Sequence, residues 1–351
     1  MRLLPWFLDP WHVRGDVSRY LLPRERGALR EKLRIVVSRK FPILGSLLGV
    51  RCGKWPSSVE PLPIEITTLP RDRSSLTYLG HRTVYIHTGG ASFLTDPVFS
   101  RRLFMPLFGL QRVTKRLIKY REIPMPDFIL LSNNTYGCVD AFSMRRMGDL
   151  GSALVLGGMN LSRFVMFFFQ RYTYPLRWFE TVDFGSIEVT FLPSYSNSGR
   201  FWHHRDLLVW GSFFIRSGTR SIYYAGRTAY SGHFREIRYF LQEKGYSIDV
   251  AILPIGPVYH HSAELTPEEA VKAHLELGAR LTLPVAYDTF PLGREGYGEL
   301  LDRLESHIHE VDPSLRRQFV ILREGESVDI SDLDNIGSAS TTSGSANTTQ
   351  R

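Results

Sequence analysis

The chain has 351 residues, of which 43% are hydrophobic and 13% aromatic, a composition typical of a globular protein with a sizeable core. No apolar run reaches the roughly 18 residues that a membrane-spanning helix needs, and the apolar stretch at the N-terminus is too short for a secretory signal. Two cysteines are too few for a disulfide framework. We therefore expect a cytoplasmic protein in a reducing compartment.

The formal net charge is +8, and residues 1–50 carry ten Lys or Arg against four acidic residues. A second basic cluster comprises Arg112, Lys115, Arg116, Lys119 and Arg121. A solvated basic face is the ordinary explanation. Because Trp6, Phe7 and Trp11 lie beside the N-terminal charge, peripheral contact with an anionic membrane is an alternative. No nucleic-acid-binding module accompanies the charge, so nucleic acid is not an expected partner.

The sequence divides into three predicted parts. Residues 1–63 are a basic N-terminal extension, with helical patterning around 24–37 and a Pro-rich break at 57–63. Residues 64–330 alternate strand and helix patterns without an internal repeat. Residues 331–351 end in a tail rich in Gly, Ser, Thr and Asn, which has too little apolar content to order itself.

Short apolar runs rich in β-forming residues predict the strands. They are Leu76–Tyr78, Thr83–His87, Ala91–Thr95, Phe128–Ser132, Ala153–Leu156, Ile187–Leu192, Leu207–Ile215, Ser221–Ala225, Val250–Pro254 and Leu281–Val285. One helix is well marked, because Thr266 can cap it, Pro267 and Glu269 suit its first turn, and Gly278 can end it. Strands alternating with helices indicate an α/β fold of two sheets with helices outside.

Eight short segments between residues 64 and 295 form an ordered set. They are LGHRTV (79–84), LTDPVFS (94–100), SGR (198–200), LVWGSF (208–213), YAG (224–226), LPIG (253–256), PEEAV (267–271) and TFPL (289–292). In this order and spacing they resemble the metallo-β-lactamase-fold family that includes N-acylphosphatidylethanolamine phospholipase D. The resemblance implies an αββα sandwich of two mixed sheets, with the active site at one edge between them.

The resemblance also implies a metal site and the positions of its ligands. In the family, the strand that matches 128–132 runs into a Ser-His-x-His-x-Asp-His loop. Further ligands are a His before Ser-Gly-Arg, an Asp after Ala-Gly, and a His before Gly-Thr-Phe. Imidazole and carboxylate ligands hold zinc, and the metals lower the pKa of a bound water to about 7, so that hydroxide can attack a phosphodiester.

In this chain, all seven ligand positions carry other residues. They are Asn133, Thr135, Gly137, Cys138, Ser196, Arg227 and Ala286. An alignment shift of one or two residues restores nothing, because no His lies within 127–140 or 281–292. Arg227 stands at the bridging carboxylate, where its permanent positive charge would repel a metal dication. We therefore predict no zinc and no other cofactor, and we expect Arg227 to pair with a carboxylate, with Asp288, Asp140 and Asp96 as the candidates.

Other side chains near the predicted site leave alternatives open. His81, in the family's Gly-His-Ala/Ser element, and the retained carboxylates Asp96 and Asp140 are expected to brace the site loops. Cys138 near His81 is an alternative nucleophile and base. A relocated metal would need the histidine pairs of two site loops, which are His203 with His204 and His260 with His261. His274 is expected to be a surface or packing residue of the marked helix.

The sequence thus favours a pseudoenzyme over an enzyme. It would bind an anionic ligand or a protein partner through the old cleft or the basic N-terminal segment. Candidate ligand-binding residues are Arg227, His81, Asp140, Asp288, His203 and His260. The alternatives are a metal-dependent phosphodiesterase of the phospholipase D type with a relocated metal, and a membrane-surface binding protein. The oligomeric state is not predicted.

Overall fold

A computed structural model gives the structure of the chain. It describes residues 18–21, 34–39, 52–60, 62–64, 66, 70–103, 109–114, 122–148, 153–159, 161, 165, 173–199, 209–258 and 264–334. Within these ranges, no helix combines the length and the apolar content that a membrane crossing requires.

Two mixed β-sheets form the centre of the fold. The strands are β1 (Ser75–Tyr78), β2 (Val84–Thr88), β3 (Ala91–Thr95), β4 (Arg102–Leu103), β5 (Leu110–Gln111), β6 (Phe128–Leu131), β7 (Leu154–Gly158), β8 (Thr173–Leu176), β9 (Thr181–Asp183), β10 (Ile187–Leu192), β11 (Ser212–Ser217), β12 (Ser221–Tyr224), β13 (Val250–Pro254), β14 (Leu281–Val285) and β15 (Ser327–Asp329). One sheet has the order β15-β1-β2-β3-β6-β7-β8, the other has the order β14-β13-β12-β11-β10-β9, and β4 pairs with β5 alone.

The helices of the described residues pack against the sheets. They are α1 (Ala141–Gly148), α2 (His233–Glu243), α3 (Pro267–Leu277) and α4 (Glu299–Val311). The helix predicted after Thr266 is α3, and its capping box is present: Thr266 Oγ1 accepts from Glu269 N at 3.2 Å, and Glu269 Oε2 accepts from Thr266 N at 2.9 Å. Gly278 ends α3 with a φ of 65°, which glycine adopts without the steric cost of a Cβ.

Three packed layers of apolar side chains hold the sandwich together. The inner faces of both sheets share one cluster, in which Phe93 and Leu130 of one sheet join Phe213 and Ile252 of the other. On the outer face of the second sheet, α2 packs against β11 and β12, and on the outer face of the first sheet, α1 packs against β6 and β7. The predicted αββα sandwich is confirmed.

The position of Arg112 contradicts the exposed basic cluster that the charge pattern predicts. It does not belong to an exposed basic cluster, because its side chain is 2% exposed. Its guanidinium donates to Leu79 O at 2.7 Å and to Val98 O at 2.9 Å, and it forms an ion pair with Glu324 at 2.9 Å. The other members of the predicted cluster lie outside the described residues.

Parts of the N-terminal extension contact the sandwich. Residues 34–39 are helical, and Arg39 Nη2 donates to Gly293 O at 2.7 Å. Val59 N donates to Val113 O at 2.9 Å. The aromatic residues Trp6, Phe7 and Trp11 lie outside the described residues, and the division at residues 63 and 330 stays a prediction.

Candidate functional site

The seven substituted positions follow the ends of several strands at one edge of the sandwich. The loop 132–140 follows β6, Arg227 lies just beyond β12, and Ala286 follows β14 directly. Asn133, Ser196 and Arg227 meet there: Ser196 Oγ lies 3.0 Å from Arg227 Nη1 and 3.4 Å from Asn133 Nδ2. The structure therefore brings together three of the residues that sequence comparison placed at one site.

Arg227 lies inside this edge with its guanidinium engaged by the protein. The residue is 6% exposed, and its Nε donates to Glu264 Oε1 at 2.8 Å. Its Nη1 donates to Ser196 Oγ at 3.0 Å and to Asn197 O at 3.0 Å. The expected carboxylate partner is present, but it is Glu264 and not one of the three aspartates named from the sequence.

A second buried arginine shares the same carboxylate. Arg82, which follows His81 in the element where the family has Ala or Ser, is 2% exposed. Its Nη2 donates to Glu264 Oε2 at 2.7 Å, and its Nη1 donates to His81 Nε2 at 2.8 Å. Arg82, Glu264 and Arg227 therefore form one buried ion triad, in which each guanidinium holds one oxygen of a single carboxylate.

Asp96 supplies a second negative charge beside the triad. Burial raises its pKa to about 6, although hydrogen bonds from Ser132 and Tyr224 and the charge of Arg82 oppose the rise. Burial by itself lowers the pKa of Arg82, but the charge of Glu264 and further contributions that include Asp96 outweigh burial and leave the pKa above its ordinary value. Arg82 therefore keeps its charge between two carboxylates, those of Glu264 and Asp96.

Gly137 makes room for this arrangement. It occupies the position of the family's aspartate, and a Cβ at this position would lie 2.9 Å from His81 Nε2 and 3.3 Å from Arg82 Nη1. Any larger residue would therefore press on the pair formed by His81 and Arg82. Burial, with the charges of Arg82 and Arg112, holds the pKa of His81 well below its ordinary value. His81 is consequently neutral and can accept the hydrogen bond from Arg82.

His81 also holds two site loops through its main chain. Its N donates to Thr289 Oγ1 at 2.7 Å, and its O accepts from Ala286 N at 2.6 Å. The φ of His81 is 54°, in the left-handed region that few non-glycine residues adopt. Ala286, where the family has its last histidine, thus contacts the site through its backbone.

Cys138 and Thr135 close the loop that follows β6. The Thr135 hydroxyl donates to Cys138 Sγ at 3.5 Å, and Ser132 Oγ donates to it at 3.7 Å. Cys138 is fully buried, and burial raises its pKa to about 12. A thiol that stays protonated and accepts hydrogen bonds from hydroxyl groups favours a packing role over that of a nucleophile.

The remaining carboxylates hold backbone turns. Asp96 accepts from Ser132 N at 2.8 Å and from the Tyr224 hydroxyl at 2.7 Å. Asp140 Oδ2 accepts from Ser143 N at 3.1 Å at the start of α1. Asp288 accepts from Gly298 N at 2.8 Å, and burial raises its pKa to about 6. Asp288 and Asp140 are therefore engaged in bracing contacts outside the triad.

The donor set at this edge does not fit a dinuclear metal centre. Of the seven positions, only Cys138 has a side chain of a kind that commonly binds zinc, and its thiol is protonated. Among the residues that the structure describes, no group of three or more His, Cys, Asp and Glu could hold a metal ion. His203, His204, His260 and His261 lie outside the described residues. His274 is buried in packing, with Nδ1 2.9 Å from Thr282 Oγ1.

Sequence reasoning missed Arg82 and Glu264. A signal for Arg82 was available, because a long charged residue stands where the family has Ala or Ser. Glu264 gave no such signal, since it lies 182 positions from Arg82 along the chain. Its pairing is visible only when the fold brings the loop after β13 to this edge.

Comparison with known proteins agrees with the fold. The profile of the family described as "Beta-lactamase superfamily domain" matches residues 92–287, more than half of the chain. An uncharacterized protein of Mycobacterium tuberculosis is 27% identical over 296 residues, covering 78% of this chain and 73% of its own. The Caenorhabditis elegans protein named N-acyl-phosphatidylethanolamine-hydrolyzing phospholipase D 1 is 27% identical over 281 residues, covering 73% of this chain and 76% of its own.

A solved structure supports the architecture. Igni18, a metallo hydrolase from Ignicoccus hospitalis, superposes with a TM-score of 0.54 at 21% identity, over 73% of this chain and 98% of its own. At that identity the likeness concerns the fold alone. Because the family profile covers more than half of the chain and the two sheets have the matching architecture, this chain belongs to the metallo-β-lactamase superfamily.

Proposed function

We propose that this chain is a metal-free member of the superfamily, a pseudoenzyme that acts by binding and not by hydrolysis. The observation that carries the proposal is the guanidinium of Arg227, buried at the position of the bridging carboxylate and paired with Glu264. A permanent cation at that point repels a dication, and the repulsion is strong where water is excluded. Arg82 adds a second cation to the same cavity.

The triad also explains how the site stays folded without metal. Buried charges are tolerated when they are paired and hydrogen-bonded. Glu264 bonds to both arginines, and Ser196 and Asn197 accept the remaining contacts of Arg227 Nη1. The arginines thereby take over the positive charge that metals supply elsewhere in the family.

The proposed partner is a protein or an anionic ligand. Arg227 Nε and Nη1 donate to acceptors within the protein, so an anionic ligand would have to displace those contacts to bind there. We therefore assign the proposed contact to the basic residues 1–50. An anionic membrane surface would suit the same residues, because Trp6, Phe7 and Trp11 lie among them.

The alternative is a metal-dependent phosphodiesterase with a relocated metal. It would need the loop histidines His203, His204, His260 and His261, and no group of ligands among the described residues favours it. Because the C. elegans relative is named as a phospholipase D, a phospholipase D reaction is the activity to test.

The deciding experiment measures metal and activity on one sample of the full-length protein. Metal content is determined by mass spectrometry, and hydrolysis is followed with N-acyl-phosphatidylethanolamine vesicles, before and after addition of zinc. We expect metal far below one ion per chain and no hydrolysis in either condition. Near-stoichiometric zinc or iron, or hydrolysis above background, would overturn the proposal, and a His203→Ala/His260→Ala variant would then test the relocated site.

The membrane contact has its own test. The full chain and a Trp6→Ala/Phe7→Ala/Trp11→Ala variant are floated with anionic and with neutral liposomes. We expect the full chain to float with anionic liposomes alone, and the variant to stay with the soluble fraction. If both proteins float equally well, these aromatic residues are not the contact.

A further inference from the structure

Residues 18–21 contact a surface formed by Trp178, Ser196 and Glu236, which we call the groove and which lies beside Arg227. Ser18–Tyr20 form one 3₁₀ turn, and Leu21 pairs with Ser196 in a parallel β-bridge. Ser196 N donates to Tyr20 O at 3.2 Å. The N-terminal segment therefore adds a short extended piece to the loop that carries one of the substituted ligand positions.

The side chains of Arg19 and Tyr20, which precede Leu21, make contacts in the groove. Glu236 of α2 accepts from the Arg19 guanidinium at 2.6 Å and from the Tyr20 hydroxyl at 2.8 Å. The Tyr20 ring meets Trp178 edge-on, with the ring centroids 5.0 Å apart, and Tyr20 is 7% exposed. One carboxylate and one aromatic surface thus hold an Arg-Tyr pair.

The walls of the groove are joined to the rest of the fold by hydrogen bonds. Trp178 Nε1 donates to Trp210 O at 2.6 Å, and Trp210 Nε1 donates to Ser194 O at 2.8 Å. Ala229 N donates to Tyr195 O at 2.8 Å, which fixes the strand-like segment that receives Leu21. These hydrogen bonds hold Trp178 and the segment with Ser196 in place, and none of them involves residues 18–21.

Ser196 connects this groove with the triad. Its N faces the main chain of Tyr20, and its Oγ accepts from Arg227 Nη1 at 3.0 Å. A segment docked on Ser196 therefore closes one side of the site that contains Arg227.

We propose that the edge formed by Glu236, Trp178 and Ser196 is a peptide-docking groove for an Arg-Tyr-Leu segment, occupied in cis by residues 19–21 of the same chain. The recognition is β-augmentation: a main-chain contact gives register, and side-chain contacts on Glu236 and Trp178 give specificity. This inference stands on the contacts of residues 19–21 and does not depend on the absence of metal.

The test follows hydrogen exchange at the Ser196 amide of the full-length protein. An Arg19→Ala/Tyr20→Ala variant should exchange this proton at least about tenfold faster, because its acceptor leaves with the segment. The Ala229 amide, whose acceptor Tyr195 O belongs to the core, should not change. Arg238→Ala serves as the matched control, since it removes an exposed arginine of α2 that does not contact the segment.

A peptide then tests the groove itself. Added to the Arg19→Ala/Tyr20→Ala protein, a peptide with the sequence of residues 16–24 should restore the protection of Ser196, and the same peptide with Ala in place of Tyr should not. Glu236→Gln should weaken the restored protection, with Glu243→Gln as its control on the same helix. Unchanged exchange at Ser196 in the double variant, or equal rescue by both peptides, would overturn the proposal even if the protein proves to be metal-free.

Discussion

Glu264→Gln tests the buried triad most directly. Gln keeps the shape of the side chain but removes the charge between Arg82 and Arg227, and its amide group turns two donors toward guanidinium groups that need acceptors. The two guanidiniums then stand in one cavity without the carboxylate that both contact, although the charge of Asp96 still acts on Arg82. The variant therefore measures what the shared carboxylate contributes to the folded state.

The expected loss follows from two opposing effects. Each ion pair, with a nitrogen–oxygen distance of 2.7 or 2.8 Å, is worth on the order of 6 kcal/mol at an effective dielectric constant of about 20. Removal of Glu264 also removes the cost of burying its charge, which is several kcal/mol. We expect the free energy of unfolding to fall by about 3–5 kcal/mol, the range for a buried pair that loses one partner.

Urea unfolding monitored by circular dichroism measures this change, with Glu268→Gln as the matched control. Glu268 pairs with Arg303 through two hydrogen bonds of 3.0 and 2.9 Å, but both side chains are about one third exposed. Its loss should cost about 1 kcal/mol or less. If Glu264→Gln costs no more than Glu268→Gln, the triad does not stabilise the site and our account of the cavity is wrong.

Three further predictions concern neighbouring residues. Gly137→Ala should lower the free energy of unfolding by about 1–3 kcal/mol, because its Cβ would press on the His81 ring, whereas Gly218→Ala, in open space, should change little in the same urea assay. His233 has its pKa lowered by burial to about 3 from an ordinary 6.5, so the stability it contributes is present above pH 6.5 and is lost as the pH falls. Between pH 7 and 5, urea midpoints should therefore show wild type losing about 2 kcal/mol more than His233→Gln, and parallel losses would refute the assignment. Under native conditions at pH 8, Cys138 should resist a thiol reagent that modifies the half-buried Cys52, and equal rates by mass spectrometry would show that Cys138 is accessible.

The sandwich was predictable because its strands carry a strong local signal. Val250–Pro254 and Leu281–Val285 are buried at every position, and their continuous apolar runs give the observed bounds residue for residue. The edge strands β9 and β15 were not predicted, since each has only three residues, in which exposed polar residues flank one half-buried valine. A strand of fully buried residues can be predicted from the sequence, and the pairing of short polar strands cannot.

The seven substitutions at the positions that the resemblance assigns to metal ligands could be read from the sequence, but the ion triad formed by Arg82, Glu264 and Arg227 could not. Each ligand position is fixed by a local motif, so the substitution at Arg227 could be found by comparison alone. The candidates for its partner were three aspartates near the predicted site, and all three have other contacts. Glu264 lies in a loop outside every motif, and its two contacts depend on the packing of distant segments.

The chemistry of the cavity explains why arginine fills it. The positions around it carry buried polar groups, including the side chains of Asp96, Asn133 and Ser196. An apolar filling would remove the donor that Arg227 Nη1 offers to Ser196 Oγ and Asn197 O, and a buried polar group left unsatisfied costs about 1–3 kcal/mol. A guanidinium has five donors in a fixed plane and reaches several acceptors at once, as Arg227 does with Glu264, Ser196 and Asn197. Two arginines that share one carboxylate therefore fill the cavity and supply hydrogen-bond donors to its polar groups. Both arginines are side chains of the protein itself.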